Sequence, residues 1–216
     1  MRKGLSLIEL IFTIVIIAVV FTVIPKIVLS LNKADSFTIR QDAMFNGVSM
    51  IKMISKLPWD QNNTDSSDIL HVNSSANSYF DCNTTTFRRD GGFIGGRTCE
   101  DNQSASIINS NAYEYVSYLE DDIGDFNNKG VEANLTTTQK LYDLNITVSY
   151  IDDTNFNPTN LIDINQSSDV NSYTTNLKRI RIKVFYTGNR GESRQLTQFN
   201  YTSANIGQMI LHKRVW

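Results

Sequence analysis

The run of apolar residues from Leu5 to Ile24 constrains the fold of this chain more than any other feature. These twenty residues include a single charged side chain, that of Glu9. An α-helix rises about 1.5 Å per residue, so the run would extend about 30 Å, the thickness of the hydrocarbon core of a bilayer. Lipid offers the backbone no other hydrogen-bond partners, so even these many β-branched residues should form a helix. The sequence therefore predicts a transmembrane helix over 5–24.

The residues before this run predict its orientation. Arg2 and Lys3 precede it, and positively charged residues remain on the cytoplasmic side of a membrane. The N-terminus should therefore lie in the cytoplasm and the bulk of the chain outside it. A secretory signal cleaved near 28–30 is the alternative, although the apolar run is long for such a signal and Glu9 would be out of place within it.

Residues 3–10 read KGLSLIEL, in which a short basic leader ends in glycine and is followed by an apolar residue, Ser, Leu, Ile and Glu. This pattern closely resembles the prepilin signal of type IV pilins and type II secretion pseudopilins. The resemblance implies that a prepilin peptidase removes the leader 1–4 by cutting between Gly4 and Leu5, and that the new N-terminus at Leu5 is methylated. Leu5 departs from the family, which usually has Phe there.

The same resemblance implies a role for Glu9. A carboxylate inside a bilayer costs about 2.5–3.5 kcal/mol on insertion scales. In this family the glutamate pairs with the positive N-terminus of a neighbouring subunit, an attraction that is strong at low dielectric. Glu9 is thus the expected subunit-assembly residue, and a glutamate reaching the bilayer edge is the alternative. The implied partners are other pilin or pseudopilin subunits, the prepilin peptidase and the inner-membrane assembly machinery, first in the bacterial inner membrane and then in a filament.

The helical pattern continues beyond the membrane segment. Pro25 removes one backbone hydrogen bond and should kink the helix rather than end it. Apolar residues then recur at helical spacings between charged ones, which predicts an amphipathic continuation over 25–57 that Pro58 ends. We expect this stripe to pack on the following domain; a coiled-coil stalk is the alternative, but the heptads are short and imperfect. The stripe comprises Ala34, Phe37, Met44, Val48 and Ile51, with Phe45 and Ile54 widening it.

The remaining residues, 58–216, should form a periplasmic or extracellular head. Cys82 and Cys99 lie within a polar, turn-rich segment of this head. Outside the cytoplasm such cysteines oxidise, so the sequence predicts a disulfide between them. Closing a loop of this size stabilises a fold by about 3 kcal/mol in the chain-entropy model. His71 and His212 lack the spacing of metal ligands.

Three segments near the end of the chain alternate apolar and polar residues, which predicts β-strands. They are 144–150, 180–186 and about 194–202, and Gly188-Asn189-Arg190-Gly191 predicts a turn between the last two. One apolar face and one polar face is what an antiparallel sheet packed on a helix requires. The predicted fold class is therefore α+β, a long N-terminal helix packed on an antiparallel β-sheet head, as in pilins. The basic face of Arg179, Arg181 and Lys183 should be solvated, or else contact an acidic neighbour.

The segment 120–127 gathers carboxylate and amide oxygens. A low-confidence calcium site is predicted here because major pseudopilins use calcium in their heads, and its candidate ligands are Asp121, Asp122, Asp125 and Asn127. The spacing does not fit an EF-hand, since Lys129 falls where an oxygen ligand should be. An ordinary acidic loop is the favoured alternative, and no other cofactor is expected.

Asparagine is unusually common, at 23 residues, and eight positions fit the glycosylation pattern Asn-x-Ser/Thr. Six of these also have an acidic residue two positions before the asparagine. This longer pattern resembles the acceptor of bacterial periplasmic oligosaccharyltransferases, and we predict glycosylation of at least one site, with Asn62 and Asn165 favoured. The six are Asn62, Asn83, Asn102, Asn134, Asn145 and Asn165.

Composition and motifs narrow the function. A net charge of −2 lacks the basic excess of a nucleic-acid-binding protein. No catalytic triad, Cys-His pair or phosphate loop stands out in the sequence, so we expect a protein that is not an enzyme. The prediction is a structural subunit of a type IV pilus or type II secretion pseudopilus, and its length favours a minor subunit. A signal-anchored periplasmic enzyme or binding protein and a filament-tip adhesin are the alternatives.

Overall fold

A computed structural model describes residues 7–63, 69–73, 80, 82–83, 85–87, 89, 98–99, 103–108, 122–136, 139–154, 168–170, 172–187 and 192–207. The chain divides into two compact units, Met1–Asp42 and Ala43–Trp216. The first unit is helical throughout its described part. The second contains the end of the same helix and a β-sheet, which gives an α+β layout.

One α-helix, α1, covers Leu7–Ile54 and contains Pro25 without interruption. The expectation that this proline does not end the helix is confirmed. The helix ends three residues before the expected Leu57, because Pro58 cannot continue it. The backbone still turns there, since the N–H of Lys56 donates to Met53 O at 3.2 Å and that of Leu57 to Ile54 O at 3.0 Å.

Within the second unit, the end of α1 buries a narrow face of small and apolar residues. Ala43, Gly47, Met50 and Ile54 are buried, at spacings of four, three and four. The predicted stripe was wrong for Phe45, which is 65% exposed. Gly47 explains the difference: a methyl group placed on it would meet the Phe199 ring, so the helix approaches the sheet through small residues.

Five strands of the described residues form one antiparallel sheet in the order β1-β2-β4-β5, with the short β3 paired to the end of β2. Strands β2, β4 and β5 confirm the three predicted from alternation, and β1 and β3 were not predicted. The predicted turn at 188–191 lies outside the described residues. The strands are β1 Lys129–Thr136, β2 Gln139–Ile151, β3 Asp169–Val170, β4 Leu177–Thr187 and β5 Ser193–Ala204.

The register of β2 against β4 builds the core of the head. Apolar residues face each other across the two central strands, and all of them are at most 3% exposed. Burying a side chain of this size stabilises a fold by about 1.5–3 kcal/mol. The opposed pairs are Leu144 with Val184, Ile146 with Ile182, and Val148 with Ile180.

Cys82 and Cys99 form a disulfide across 17 residues of sequence, with their Cα atoms 6.3 Å apart, as predicted. Two backbone contacts accompany it. Cys82 forms an isolated antiparallel bridge with Arg89, and the N–H of Cys99 donates to Phe87 O at 2.9 Å. The bridge closes a short hairpin-like loop between residues 82 and 89, which we call the disulfide loop.

We expect the substitution Gly47→Leu to lower the free energy of unfolding of the head by about 1–3 kcal/mol, the usual cost of overpacking. An ideal Cβ at this position would lie 2.4 Å from Phe199 Cε2 and 3.2 Å from Val184 Cγ2. Urea unfolding of the full chain in detergent, followed by Trp fluorescence, measures the change. Ser49→Leu, at an exposed position of the same helix, is the control and should unfold at the urea concentration of the parent chain.

Candidate functional site

The first unit presents an apolar helical surface. From Leu7 to Leu31 every described side chain of α1 is exposed, and the most apolar window of this helix is not buried anywhere. By length and composition, α1 is able to cross a membrane. Apolar side chains on this scale require lipid or protein around them. Thr13 and Thr22 do not interrupt the surface, because their hydroxyls donate to backbone carbonyls one turn earlier.

Glu9 lies in the first turn of α1 on this surface. A carboxylate in the first turn interacts favourably with the positive end of the helix dipole. The hydroxyl of Thr13 donates to the backbone carbonyl of Glu9 at 3.1 Å. Gly4 and Leu5, the predicted cleavage and methylation residues, lie outside the described residues. Their roles and the pairing of Glu9 with a neighbouring subunit stay predictions.

A buried ion pair between Asp60 and Lys178 lies at the centre of the head. Lys178 Nζ is 2.9 Å from Asp60 Oδ2, and both side chains are at most 1% exposed. The ammonium also donates to Trp59 O at 2.7 Å. It lies 4.2 Å from the centroid of the Trp59 ring and 5.3 Å from that of Tyr150, so cation–π attraction adds to the pair.

The remaining acceptor capacity of Asp60 is also used. The hydroxyl and backbone N–H of Ser106 donate to Asp60 Oδ2 at 2.9 and 3.1 Å, and the N–H of Asn62 donates to Oδ1 at 3.2 Å. The Tyr150 hydroxyl donates to Ser106 O at 2.5 Å. Burial, and then the Asp60 charge, raise the pKa of this tyrosine. A fully hydrogen-bonded, solvent-excluded centre of this kind joins segments of a fold.

The candidate calcium residues serve the backbone in this structure. Asp122 Oδ1 accepts from the N–H groups of Gly124 and Asp125, and Asp125 Oδ2 accepts from the N–H of Asp122. Asn127 Oδ1 accepts from the N–H of Val148 at 3.0 Å, which fastens the loop to β2. Asp121 lies outside the described residues. Calcium binding stays a prediction, and the described contacts give these oxygens another role.

Asp122 has an unusual protonation equilibrium. Burial, opposed by the positive charge of Lys178, raises its pKa from 3.8 to about 7. A carboxyl group that holds a proton near neutral pH is a weak ligand for a hard cation. Within the described part of the chain, no group of three or more His, Cys, Asp or Glu side chains is placed to hold a metal ion.

A second polar network joins the disulfide loop to the sheet. Arg89 Nη2 donates to Asn176 Oδ1 and Nη1 to Asn205 O, both at 2.5 Å. Asn205 in turn exchanges hydrogen bonds with the backbone of Leu70 at 3.1 and 2.7 Å. The N–H of Asn176 donates to Asp153 Oδ2 at 2.8 Å. Burial raises the pKa of Asp153.

The basic face of β4 pairs within its own chain. Arg179 Nη1 lies 2.5 Å from Asp169 Oδ1, and Arg181 Nη2 lies 3.0 Å from Asp169 Oδ2. Arg179 is only 7% exposed, so the expectation of a solvated face was wrong for this residue. Asp169 belongs to the two-residue strand β3, which alternation could not predict. This pair fastens β3 over the outer face of the sheet.

The six acid-preceded asparagines occupy different environments. Asn62 and Asn83 lie in exposed turns, and Asn145 is exposed in the middle of β2. Asn134 lies in β1 beside an irregularity in its pairing with β2. Asn102 and Asn165 lie outside the described residues. No described contact gathers these sites into one patch, so each has to be judged separately.

Comparison with protein-family models, with curated proteins and with solved structures finds no match to this chain. The resemblance to pilins therefore depends on residues 3–10 and on the order of the helix and strands.

The ion pair was missed at the sequence level, although half of it had a signal. Lys178 alternates in phase with Ile180, Ile182 and Val184 on the apolar side of β4, and a lysine in that phase indicates a buried, paired ammonium. Its partner had no signal, because Asp60 is 118 residues away. Arg89, Asn176 and Asn205 likewise come together only through the fold.

We expect Lys178→Met or Asp60→Asn to lower the free energy of unfolding by about 3–5 kcal/mol each, because either change leaves the other charge or its donors buried without a partner. The double variant Asp60→Asn/Lys178→Met should lose less than the sum of the two. Urea unfolding of the full chain in detergent measures the coupling. Additive losses would contradict the ion pair.

We expect the head to become less stable as the pH rises from about 4 to 7. The unfolded carboxyl of Asp122 ionises near 3.8 and the folded one near 7, so the folded state binds the extra proton in this window. Asp122→Asn keeps the hydrogen-bond acceptor and should flatten the dependence of unfolding free energy on pH. Glu192→Gln, at an exposed position, is the control and should leave the slope unchanged; equal slopes in the parent and Asp122→Asn would contradict the assignment.

Proposed function

We propose that this chain is a structural subunit of a membrane-anchored filament, either a type IV pilus or a type II secretion pseudopilus, and not an enzyme. The observation that carries the proposal is the coincidence of three features at the N-terminus. A basic leader ending in Gly4, a glutamate five residues later at Glu9, and an uninterrupted apolar helix follow one another within residues 1–31.

The exposed surface of α1 supports assembly through this helix. A single anchor in lipid explains apolar side chains over about 20 residues. The apolar surface of α1 continues further, through Leu29 and Leu31 to Phe37, which is 69% exposed. Contacts with the helices of neighbouring subunits would cover both the membrane segment and this continuation, and they would exchange lipid for protein around Glu9.

The second unit offers apolar side chains of its own to neighbours. Met44, Phe45 and Val48 lie on the end of α1 and are 47%, 65% and 38% exposed. Exposed apolar residues that are grouped together mark protein–protein contacts. The opposite helix face is closed against the sheet by Gly47, so this group is the part of the helix end that a neighbouring subunit can reach.

The head behaves as a rigid carrier of surface in this proposal. Its disulfide, its buried ion pair and its Arg89 network fix segments that carry little regular structure. The side chains exposed on these segments then present lateral contacts or a surface chemistry to the outside. Immunogold labelling of the head would distinguish a tip or base location, expected of a minor subunit, from labelling along the shaft.

We expect Glu9→Ala to abolish or strongly reduce incorporation into sheared filaments while leaving the amount of membrane-inserted protein unchanged. Removing the carboxylate takes away the partner of a neighbour's N-terminus but makes the helix more apolar. Immunoblots of the filament and membrane fractions measure both quantities.

Thr13→Ala is the matched control for this experiment, because Thr13 lies one helical turn after Glu9 and its hydroxyl bonds only within the helix. This variant should enter filaments like the parent chain. Normal incorporation of Glu9→Ala would overturn the proposal and favour a protein that is only anchored by its N-terminal helix.

A further inference from the structure

The acid-preceded asparagines are a sequence signal that the filament proposal does not use. Eight asparagines fit Asn-x-Ser/Thr, and six of them follow an Asp or Glu at the second position before them. Asp and Glu are 22 of 216 residues, so roughly one such coincidence in eight is expected from composition. The excess calls for an explanation, and the structure separates the sites from one another.

At Asn62 the acidic residue already has a structural task. Asp60 is the buried partner of Lys178, so an enzyme could not contact this carboxylate on the folded head. The amide Nδ2 of Asn62 also donates to Ser104 O at 2.7 Å. The earlier preference for Asn62 is therefore not supported by the folded structure.

At Asn145 the backbone is the obstacle. This residue pairs with Gly130 of β1 on one side and Lys183 of β4 on the other. A modifying enzyme has to take an extended stretch of backbone into its own site, and a central strand is already hydrogen-bonded at both edges. The exposed side chain of Asn145 is therefore not enough to make it an acceptor once the sheet has formed.

At Asn83 none of these obstacles is present. Asn83 lies in the disulfide loop, and every described side chain from 83 to 87 is exposed. Its Oδ1 accepts from the N–H groups of Thr85 and Thr86 at 2.8 and 2.9 Å, whereas its Nδ2 makes no hydrogen bond to the described residues. The disulfide and the Cys82–Arg89 bridge hold the base of the loop.

We propose that Asn83 is an N-glycosylation site of the folded head, modified by a periplasmic oligosaccharyltransferase that reads Asp81 at the second position before it. The donor is a lipid-linked oligosaccharide diphosphate. The bond between the sugar C1 and the diphosphate oxygen breaks, a bond between C1 and Nδ2 forms, the lipid diphosphate leaves with the electron pair, and Nδ2 releases one proton. The glycan would stand on an exposed loop tied to the sheet through Arg89.

The test is mass spectrometry of the full chain, purified from a bacterial host that carries such an oligosaccharyltransferase and its lipid-linked donor. We expect a glycan on the peptide that contains Asn83 and none on those that contain Asn62 or Asn145. Asn83→Gln should remove the glycan, and Asp81→Ala should also remove it although Asn83-Thr84-Thr85 is intact. Asn73→Gln, at an exposed asparagine without a preceding acid, is the control and should keep it.

A bare Asn83 peptide, or a glycan that survives Asp81→Ala, would overturn the proposal. Retention of the disulfide, read from the same spectra, shows that the variants have folded. The proposal depends only on the head lying outside the cytoplasm and not on filament assembly. The N-terminal peptide reports leader removal independently, so a processed but unglycosylated chain would refute the glycan and leave the filament proposal standing.

Discussion

The packing of the head depends on the ion pair between Asp60 and Lys178. Two charges taken out of water destabilise a fold unless their geometry is good and their other hydrogen bonds are satisfied. Both conditions hold here, because Lys178 Nζ is 2.9 Å from Asp60 Oδ2 and also donates to Trp59 O, while Ser106 donates to the carboxylate. The pair thus holds the segment after α1, the segment around Ser106 and the start of β4 together.

The helix poses the opposite physical problem, since its apolar side chains are not satisfied by their own chain. Residues 7–31 of α1 are exposed throughout, and the end of the helix contacts the sheet only through the face that includes Gly47. Lipid solves this problem for one stretch of the helix, and other subunits would solve it for the whole length. A protein whose head is closed and whose helix is open is suited to assembly through the helix.

The sequence predicted those elements whose patterns are local. Strands β2, β4 and β5 alternate apolar and polar residues over many positions, and the apolar run of α1 is longer than a bilayer requires. The buried helix face was mispredicted because hydrophobicity does not reveal which surface its own chain covers, and Gly47 rather than Phe45 makes the contact. Strand β3 is too short to show alternation, and the pairing of Asp169 with Arg179 depends on distant contacts that no local pattern encodes.

The N-terminal residue of the protein in its cellular membrane tests the central claim most directly. Mass spectrometry of the N-terminal peptide, taken from cells with an active prepilin peptidase, identifies that residue and its modification. A filament subunit of the proposed kind begins at Leu5 with a methylated amine and keeps Glu9 as its fifth residue. A chain that begins at Met1, or one that begins near Ser30 after an ordinary signal cleavage, would contradict the account.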